Sequence, residues 1–329
     1  MLALGVVVCC LLGAAPATAA PDDDLLSETI VSFTFDGTYK GQDDAARILA
    51  ANGLAGTFYV NSGYLDYPAF LSVDDVRTIA RQRSEVGGAS LYGNDLSQLT
   101  VDQARQQVCN DRATLAQLGF QVTSFAYPHG AGEPEVKEVV QECGYNSSRD
   151  LAGLYEGPGN CDSCPRGETV PPTDYFRIRT NQPGISLESL KRHVEAAEDN
   201  GGGWVPLVFT HVCLCPENVG EAITPDDFRT FVEWMTKRPD TTSVLTVDQV
   251  MGGPLQPVVG VPLKRLVPDP SPAVSQPPET PRAALSQTAA WTILGVGIGQ
   301  AQILAIGICV TIAVALTYRA ATRGRRHAG

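Results

Sequence analysis

The sequence predicts an α/β protein built on a distorted (β/α) barrel, and three observations carry that expectation. Short runs of β-branched and aromatic residues alternate with helix-period segments from residue 29 to residue 247, the pattern of repeated βα units around a parallel sheet. Residues suited to chemistry fall where those strands would end, at Asp36, at Tyr127-Pro128-His129-Gly130 and at His211. In such folds the C-terminal strand ends build the site. Both chain ends read as non-globular, which leaves about 225 residues for one domain, a normal size for a barrel.

Taken in order, residues 29–35 form an apolar strand that delivers Asp36 and turns at Gly37. Residues 43–52 follow as a short helix with Ala45, Ile48 and Leu49 on one face, and 55–60 as a strand. Ser72 is placed to cap a helix over 73–82, and 85–91 reads as a weak, glycine-rich strand. Thr100, with Gln103 three residues on, opens a long helix to 118 that Gly119 stops. Residues 122–127 are the next strand and 133–142 the next helix, after which 145–172 shows neither period. Strands over 175–179, 205–211 and 243–247 and helices over 187–198 and 224–237 complete the series.

The two ends carry their own expectations. Positions 2–15 form an uncharged apolar run and Ala17-Thr18-Ala19 a small-x-small pattern, so residues 1–20 read as a secretory signal peptide. Prolines recur through 253–288 without helical periodicity, as in an extended, semi-rigid stalk. No charge occurs between Arg282 and Arg319, and the apolar run within 293–318 is long enough for one transmembrane helix. Arg319, Arg323, Arg325 and Arg326 in the tail 319–329 then place the C-terminus in the cytoplasm and the 28–252 domain outside the cell membrane. A formal net charge of -12 and a sequence pI near 4.8, with no basic cluster before the tail, exclude nucleic acid as a partner.

Six stretches together carry a resemblance. They are Ser32-Phe33-Thr34-Phe35-Asp36-Gly37, Gly56-Thr57-Phe58-Tyr59-Val60-Asn61, Glu85-Val86-Gly87-Gly88, Ser124-Phe125-Ala126-Tyr127-Pro128-His129-Gly130, Cys143-Gly144-Tyr145-Asn146-Ser147 and Leu207-Val208-Phe209-Thr210-His211. Residues 28–252 thereby resemble the polysaccharide deacetylases of the NodB homology fold, carbohydrate esterase family 4. The resemblance implies a hydrolase of acetylated glycans that uses zinc or another divalent metal.

Residue by residue, the resemblance implies a degenerate member. The family's first motif, Thr-Phe-Asp-Asp-Gly, supplies a base and then a metal ligand; Asp36 holds the base position and Gly37 the ligand position. Its second motif, His-Ser/Thr-x-x-His, supplies the other two ligands, and the matching positions are Ala89 and Gly93. No coordinating side chain remains, so no metal cofactor is expected, and an attacking water would stay far less acidic than one bound to zinc. The third motif matches at Tyr127 to Gly130, where the His129 N–H would face an oxyanion and Ala126 replaces the arginine of many members. His211 falls at the general-acid position; in relatives that read Phe-His-Asp there, Thr210 would align instead. Tyr127, Pro128 and Tyr92, with Tyr59, are the expected glycan contacts. A rebuilt metal site would have to draw on Asp36, His129 and His211, with Asp43 and Asp95 close in sequence.

Six cysteines lie in the expected extracellular part, an even number suited to disulfides. The family fold sets the helices bearing Cys109 and Cys143 side by side, which implies their pairing. Cys161 and Cys164 would then bond Cys213 and Cys215, and a structural four-thiolate zinc site on those four is the alternative. Three functions are open. The first is a membrane-anchored, extracytoplasmic pseudoenzyme that binds an N-acetylated cell-wall or exported polysaccharide. The second is a hydrolase with a rebuilt or metal-free site, and the third a surface assembly protein with a vestigial pocket. Loss of three ligands at once favours the first and third.

Overall fold

The structure is a computed structural model that describes residues 28–261, except 131, 156, 159–160, 184–185 and 217–218, together with the backbone at 292–293 and 296–297. The chain divides into two units, 1–266 and 267–329. In the first, the elements run β1 (Thr29–Asp36), α1 (Gln42–Ala51), β2 (Thr57–Val60), α2 (Val73–Arg81), β3 (Glu85–Gly88), α3 (Val101–Gln117) and β4 (Ser124–Ala126). They continue α4 (Pro134–Glu142), β5 (Ser147–Gly153), β6 (Ile178–Thr180), α5 (Leu187–Asp199), β7 (Gly203–Phe209), β8 (His211–Val212), β9 (Ala222–Ile223), α6 (Pro225–Met235), β10 (Thr242–Val244) and α7 (Val247–Met251).

β1 is the hub of the sheet. It pairs in parallel with β7 along Thr29 to Phe35, with β10 at its start and with β2 at its end. From β2 the sheet continues through β3, β4 and β5 to β6, every pair parallel. The result is a curled, parallel, eight-stranded sheet in which β6 and β7 share no ladder. Across that gap the Asn181 Oδ1 accepts the Val208 N–H at 2.7 Å, and buried Glu168 bridges antiparallel to Trp204. Side chains do what a closing ladder would do.

Alternation along β1 assigns the two faces. Phe33 and Phe35 point to the helix layer, where their centroids lie 6.0 Å and 5.8 Å from Phe228 of α6 and where Phe209 of β7 joins them. Each of these fully buried rings contributes about 1.5–3 kcal/mol. Thr34 and Asp36 share the opposite, concave face; Thr34 Oγ1 donates to the Leu207 carbonyl at 2.9 Å. The helices begin where the sequence predicts. Ser72 and Thr100 each complete a capping box, with Asp75 and Gln103.

The structure departs from expectation in several places; the strand expected over 175–179 is Ile178–Thr180 and the one over 85–91 ends at Gly88. Residues 145–172 were expected to be irregular, yet Ser147–Gly153 forms β5. This segment has no apolar run; it is a strand because β4 and β6 supply ladders on both edges and Ser148 Oγ donates to the Tyr127 hydroxyl at 2.9 Å. The last long strand stops at Phe209 rather than at 211, and a separate two-residue ribbon, β8 with β9, begins at His211. The expected strand over 243–247 ends at Val244, because Thr246 caps α7.

Another departure concerns the start of the stalk. Residues 253–261, expected within it, lie against the domain. Arg112, 1% exposed, donates from Nη1 to the Pro257 carbonyl at 2.9 Å and to that of Cys143 at 3.0 Å, and from Nη2 to that of Gln256 at 2.9 Å. The Val261 N–H donates to Asn110 Oδ1 at 2.9 Å. The signal segment 1–20, the rest of the stalk, the tail 319–329 and nearly all of the span 293–318 lie outside the described residues. In the second unit Thr292–Ile293 pairs antiparallel with Val296–Gly297. Among the described residues no helix is long and apolar enough to cross a membrane.

Cys109 and Cys143 are joined, linking α3 to α4 with Cα atoms 4.9 Å apart. The expected cross-links between Cys161/Cys164 and Cys213/Cys215 are not formed; Cys161 bonds Cys164 and Cys213 bonds Cys215. Position explains the correction. The segment carrying Cys161 and Cys164 is held at Tyr155, whose N–H donates to Pro165, and at Glu168, against the start of β7. Cys213 follows the other end of β7, against Gly41. A seven-residue strand separates those ends by roughly 20 Å. The Cys164 N–H also closes a turn onto Cys161 at 2.9 Å, which puts the near partner within bonding reach.

A chain ending at Gly252 removes two of the acceptors of a buried guanidinium. It is expected to be less stable than one ending at Val261 by about 3 kcal/mol, a hydrogen bond to a charged group being worth roughly 1.5–3 kcal/mol. A lower urea midpoint at unchanged slope is the readout.

Candidate functional site

At the C-terminal strand ends a cavity of about 260 Å³ opens between Asp36, Asn61, Ala89, Ala126, Tyr127 and Glu221. Its floor is set by one ion pair. Arg149 of β5, 1% exposed, reaches inward from its register position beside Ala126 of β4 and donates from Nη2 to Asp36 Oδ1. The guanidinium lies 4.6 Å from the centroid of the Tyr59 ring, also buried. Ala126 and Ala89 pack with Tyr59, and their small side chains leave the room that the arginine crosses. Burial raises the Asp36 pKa, the charge and hydrogen bond of Arg149 oppose the rise, and the Glu221 carboxylate adds to it.

The residues at the three ligand positions do not fit a divalent metal. Gly37 adopts φ 91°, unfavourable for any L side chain, and a Cβ there would overlap the Tyr39 ring. Burial, then the Glu221 and Asp36 charges, raise the Tyr39 pKa, so its phenol stays neutral. Beside Ala89 and Gly93 the space is taken by Asn61, 3% exposed. Its Nδ2 donates to the carbonyls of Ala89 and of Ser90, the latter at 3.0 Å, and lies 3.5 Å from where a Gly93 Cβ would be. Beneath them, buried Asp111 accepts from the N–H and hydroxyl of Ser62 at 2.8 Å and 2.6 Å and from the Ala89 N–H at 3.2 Å. Burial lifts its pKa to about 7 against those bonds. Asp36, His129 and His211 do not converge as a ligand set among the described residues.

The remaining candidates are placed as follows. His129 is exposed and has φ 58°, and its N–H donates to no described residue, so it is available at the cavity wall. Tyr127 lines the cavity with its ring while its hydroxyl donates to the Phe176 carbonyl at 3.1 Å, and Pro128 and Tyr92 also line it. Thr210, not His211, is on the wall. Strand parity is the reason: Phe209 faces the helices, so Thr210 faces inward and His211 turns out again. The His211 ring instead packs 4.2 Å from that of Tyr39. Tyr39 stacks on Phe70, Phe70 on Tyr64, and Tyr64 meets Tyr92 edge-on, an aromatic band along one side of the cavity.

Sequence reasoning missed Arg149, Tyr39, Glu221 and the filling role of Asn61. Asn61 lay inside a matched stretch and Arg149 two residues beyond one, but no local pattern announces a side chain that acts across the sheet. Glu221 is brought to the cavity only by the β8–β9 pairing, with its carboxylate accepting from Thr210 Oγ1 at 3.1 Å.

Residues 25–148 match the polysaccharide deacetylase family. The matched stretch resembles a polysaccharide deacetylase domain. The match contains Asp36, Gly37, Ala89, Gly93 and the Tyr127 to Gly130 turn, and stops one residue before Arg149. Among solved structures, a family 4 carbohydrate esterase from Streptomyces lividans is 15% identical, with 71% of this chain and 97% of that one covered and a TM-score of 0.43. The peptidoglycan deacetylase PdaC of Bacillus subtilis is 14% identical over 69% and 91%, with a TM-score of 0.44. The deacetylase PplD of Streptococcus pyogenes is 18% identical over 50% and 69%, with a TM-score of 0.40. No curated protein matches the chain.

Two outcomes follow from the floor of this cavity. Arg149→Met leaves Asp36 without its counter-ion and is expected to cost about 3–5 kcal/mol, while adding Asp36→Asn recovers part of that loss. A coupling below about 0.5 kcal/mol in the double-mutant cycle, measured by denaturant unfolding, would remove the pair from this role. The variant Gly37→Asp/Ala89→His/Gly93→His, although it restores three ligand types, is expected to hold well under one equivalent of zinc by elemental analysis. Adding Tyr39→Ala should raise that content.

Proposed function

We propose that this protein is a membrane-anchored, extracytoplasmic pseudoenzyme whose cavity binds an N-acetylated cell-wall or exported polysaccharide without hydrolysing it. One observation supports the reading: Tyr39 and Asn61 fill the space at Gly37, Ala89 and Gly93, where the resemblance implies metal ligands, while the cavity beside them stays open. What such a cavity offers is binding chemistry. The free His129 N–H can donate to an acetamide carbonyl, and the Tyr39–Phe70–Tyr64–Tyr92 band presents apolar ring edges to a sugar. Asp36 is engaged by Arg149 and has no metal-bound water to activate.

The anchoring part of the proposal rests on sequence alone, on the apolar run within 293–318 and the arginines after it. Protease added to intact cells should remove the 28–261 domain and spare the tail; protection of the domain would reverse the orientation.

For binding, the full chain in detergent is titrated with chitooligosaccharides and, as a control, with glucose oligomers of equal length. Saturable binding of the acetylated series, weakened about tenfold by Tyr92→Ala, equivalent to about 1.4 kcal/mol, and no acetate release are expected. Acetate release with stoichiometric metal would make the protein an active deacetylase and end the pseudoenzyme reading.

A further inference from the structure

The strand that stops at Phe209 leaves His211 outside the cavity and puts it beside two cysteines. One imidazole nitrogen of His211 and the Sγ atoms of Cys213 and Cys215 all lie within 4.8 Å of one another, and all three residues are half-buried. The ribbon β8–β9 fixes their backbone: the His211 N–H donates to the Glu221 carbonyl at 3.2 Å and the Cys213 N–H to that of Ile223 at 3.0 Å. From these observations we propose that His211, Cys213 and Cys215 form a redox-gated site for a thiolate-preferring metal ion such as zinc. The site is closed while the two cysteines are bonded and open once a dithiol reduces them.

The chemistry follows from the donor set. Thiolates, not disulfide sulfurs, are metal ligands, so the bonded pair is inert toward metal. Zinc takes sulfur at about 2.3 Å and imidazole nitrogen at about 2.0–2.1 Å, which puts two donors of one tetrahedral ion roughly 3.5–3.8 Å apart. Side-chain rotation covers the difference from the observed spread. Two sulfurs and one nitrogen favour zinc or copper(I) over magnesium, calcium or manganese, and a fourth position remains for water. The Glu221 carboxylate lies within electrostatic reach of His211 and favours a bound cation.

The step balances as thiol–disulfide exchange. A thiolate of an added or cellular dithiol attacks one sulfur of the Cys213–Cys215 bond. The dithiol's second thiolate then resolves the mixed disulfide, which leaves two cysteine thiols here and a disulfide on the reductant. Two electrons pass, and metal binding releases the two thiol protons. The other described disulfides do not mimic the site. Cys109 and Cys143 are 1% and 0% exposed, and no His, Asp or Glu converges on Cys161 and Cys164 among the described residues.

The test uses the full chain in detergent, with Cys161→Ser/Cys164→Ser as background, and cobalt(II) and zinc as probes. After reduction by a dithiol and its removal under argon, the background chain should take up one equivalent of cobalt more than the same chain carrying Cys213→Ser/Cys215→Ser. That equivalent should show thiolate-to-cobalt charge-transfer absorption. His211→Ala should weaken zinc, read by chelator competition, by at least the 10- to 100-fold that loss of an outer partner alone costs. His211→Cys should restore binding, and near-unchanged circular dichroism separates ligand loss from unfolding. Equal uptake with and without Cys213 and Cys215, equal affinity in His211→Ala, or the same uptake before reduction would each overturn the proposal.

Discussion

A guanidinium that is 1% exposed must find a partner, and the concave face of this sheet is arranged around that requirement. Arg149 enters from β5, crosses the space left by Ala126, lies against the Tyr59 ring and ends on Asp36. Each of these residues sits on a different strand, so the ion pair also ties the start of the sheet to its far half. The charge beside Asp36 thus comes from β5, whose Arg149 is the register partner of Ala126.

This changes what the presence of Asp36 means. A carboxylate at the base position invites a catalytic reading, but it would be needed here even if no reaction took place, because its removal leaves Arg149 buried and unpaired. The metal side of the site points the same way. Gly37 and Tyr39 belong together, since the left-handed turn and the ring above it occupy the place of a ligand side chain. Asn61 satisfies both of its amide hydrogens on the Ala89 and Ser90 carbonyls, a stable arrangement that histidines at 89 and 93 would disturb. The space beside Gly37, Ala89 and Gly93 is filled by the Tyr39 ring and the Asn61 amide.

Much of the fold was legible because its signals are local. The apolar run before Asp36, the caps at Ser72 and Thr100 and the glycine stop at Gly119 are each decided by a few neighbours in sequence. β5 was not legible, since Ser147 to Gly153 has the composition of a loop and becomes a strand only through its neighbours' ladders. With β5 unseen, Arg149 could not be placed, and the central ion pair went with it. The close cysteine pairs fail for a related reason. Their bonds depend on which end of β7 each segment reaches, a matter of tertiary path on which spacing is silent.

Strand parity decides one further question, the part played by the histidine after Phe209. Phe209 is committed to the helix layer by its contacts with Phe33, Phe35 and Phe228, so the next residue must turn inward. That residue is Thr210, whose hydroxyl cannot serve as the general acid that an imidazole would. One position later His211 is on the outside, starts a new ribbon and meets Tyr39 and the two cysteines. A single step of register therefore sets Thr210 on the cavity wall and His211 beside the two cysteines. Tyr39 touches both places, with its ring over Gly37 and against His211.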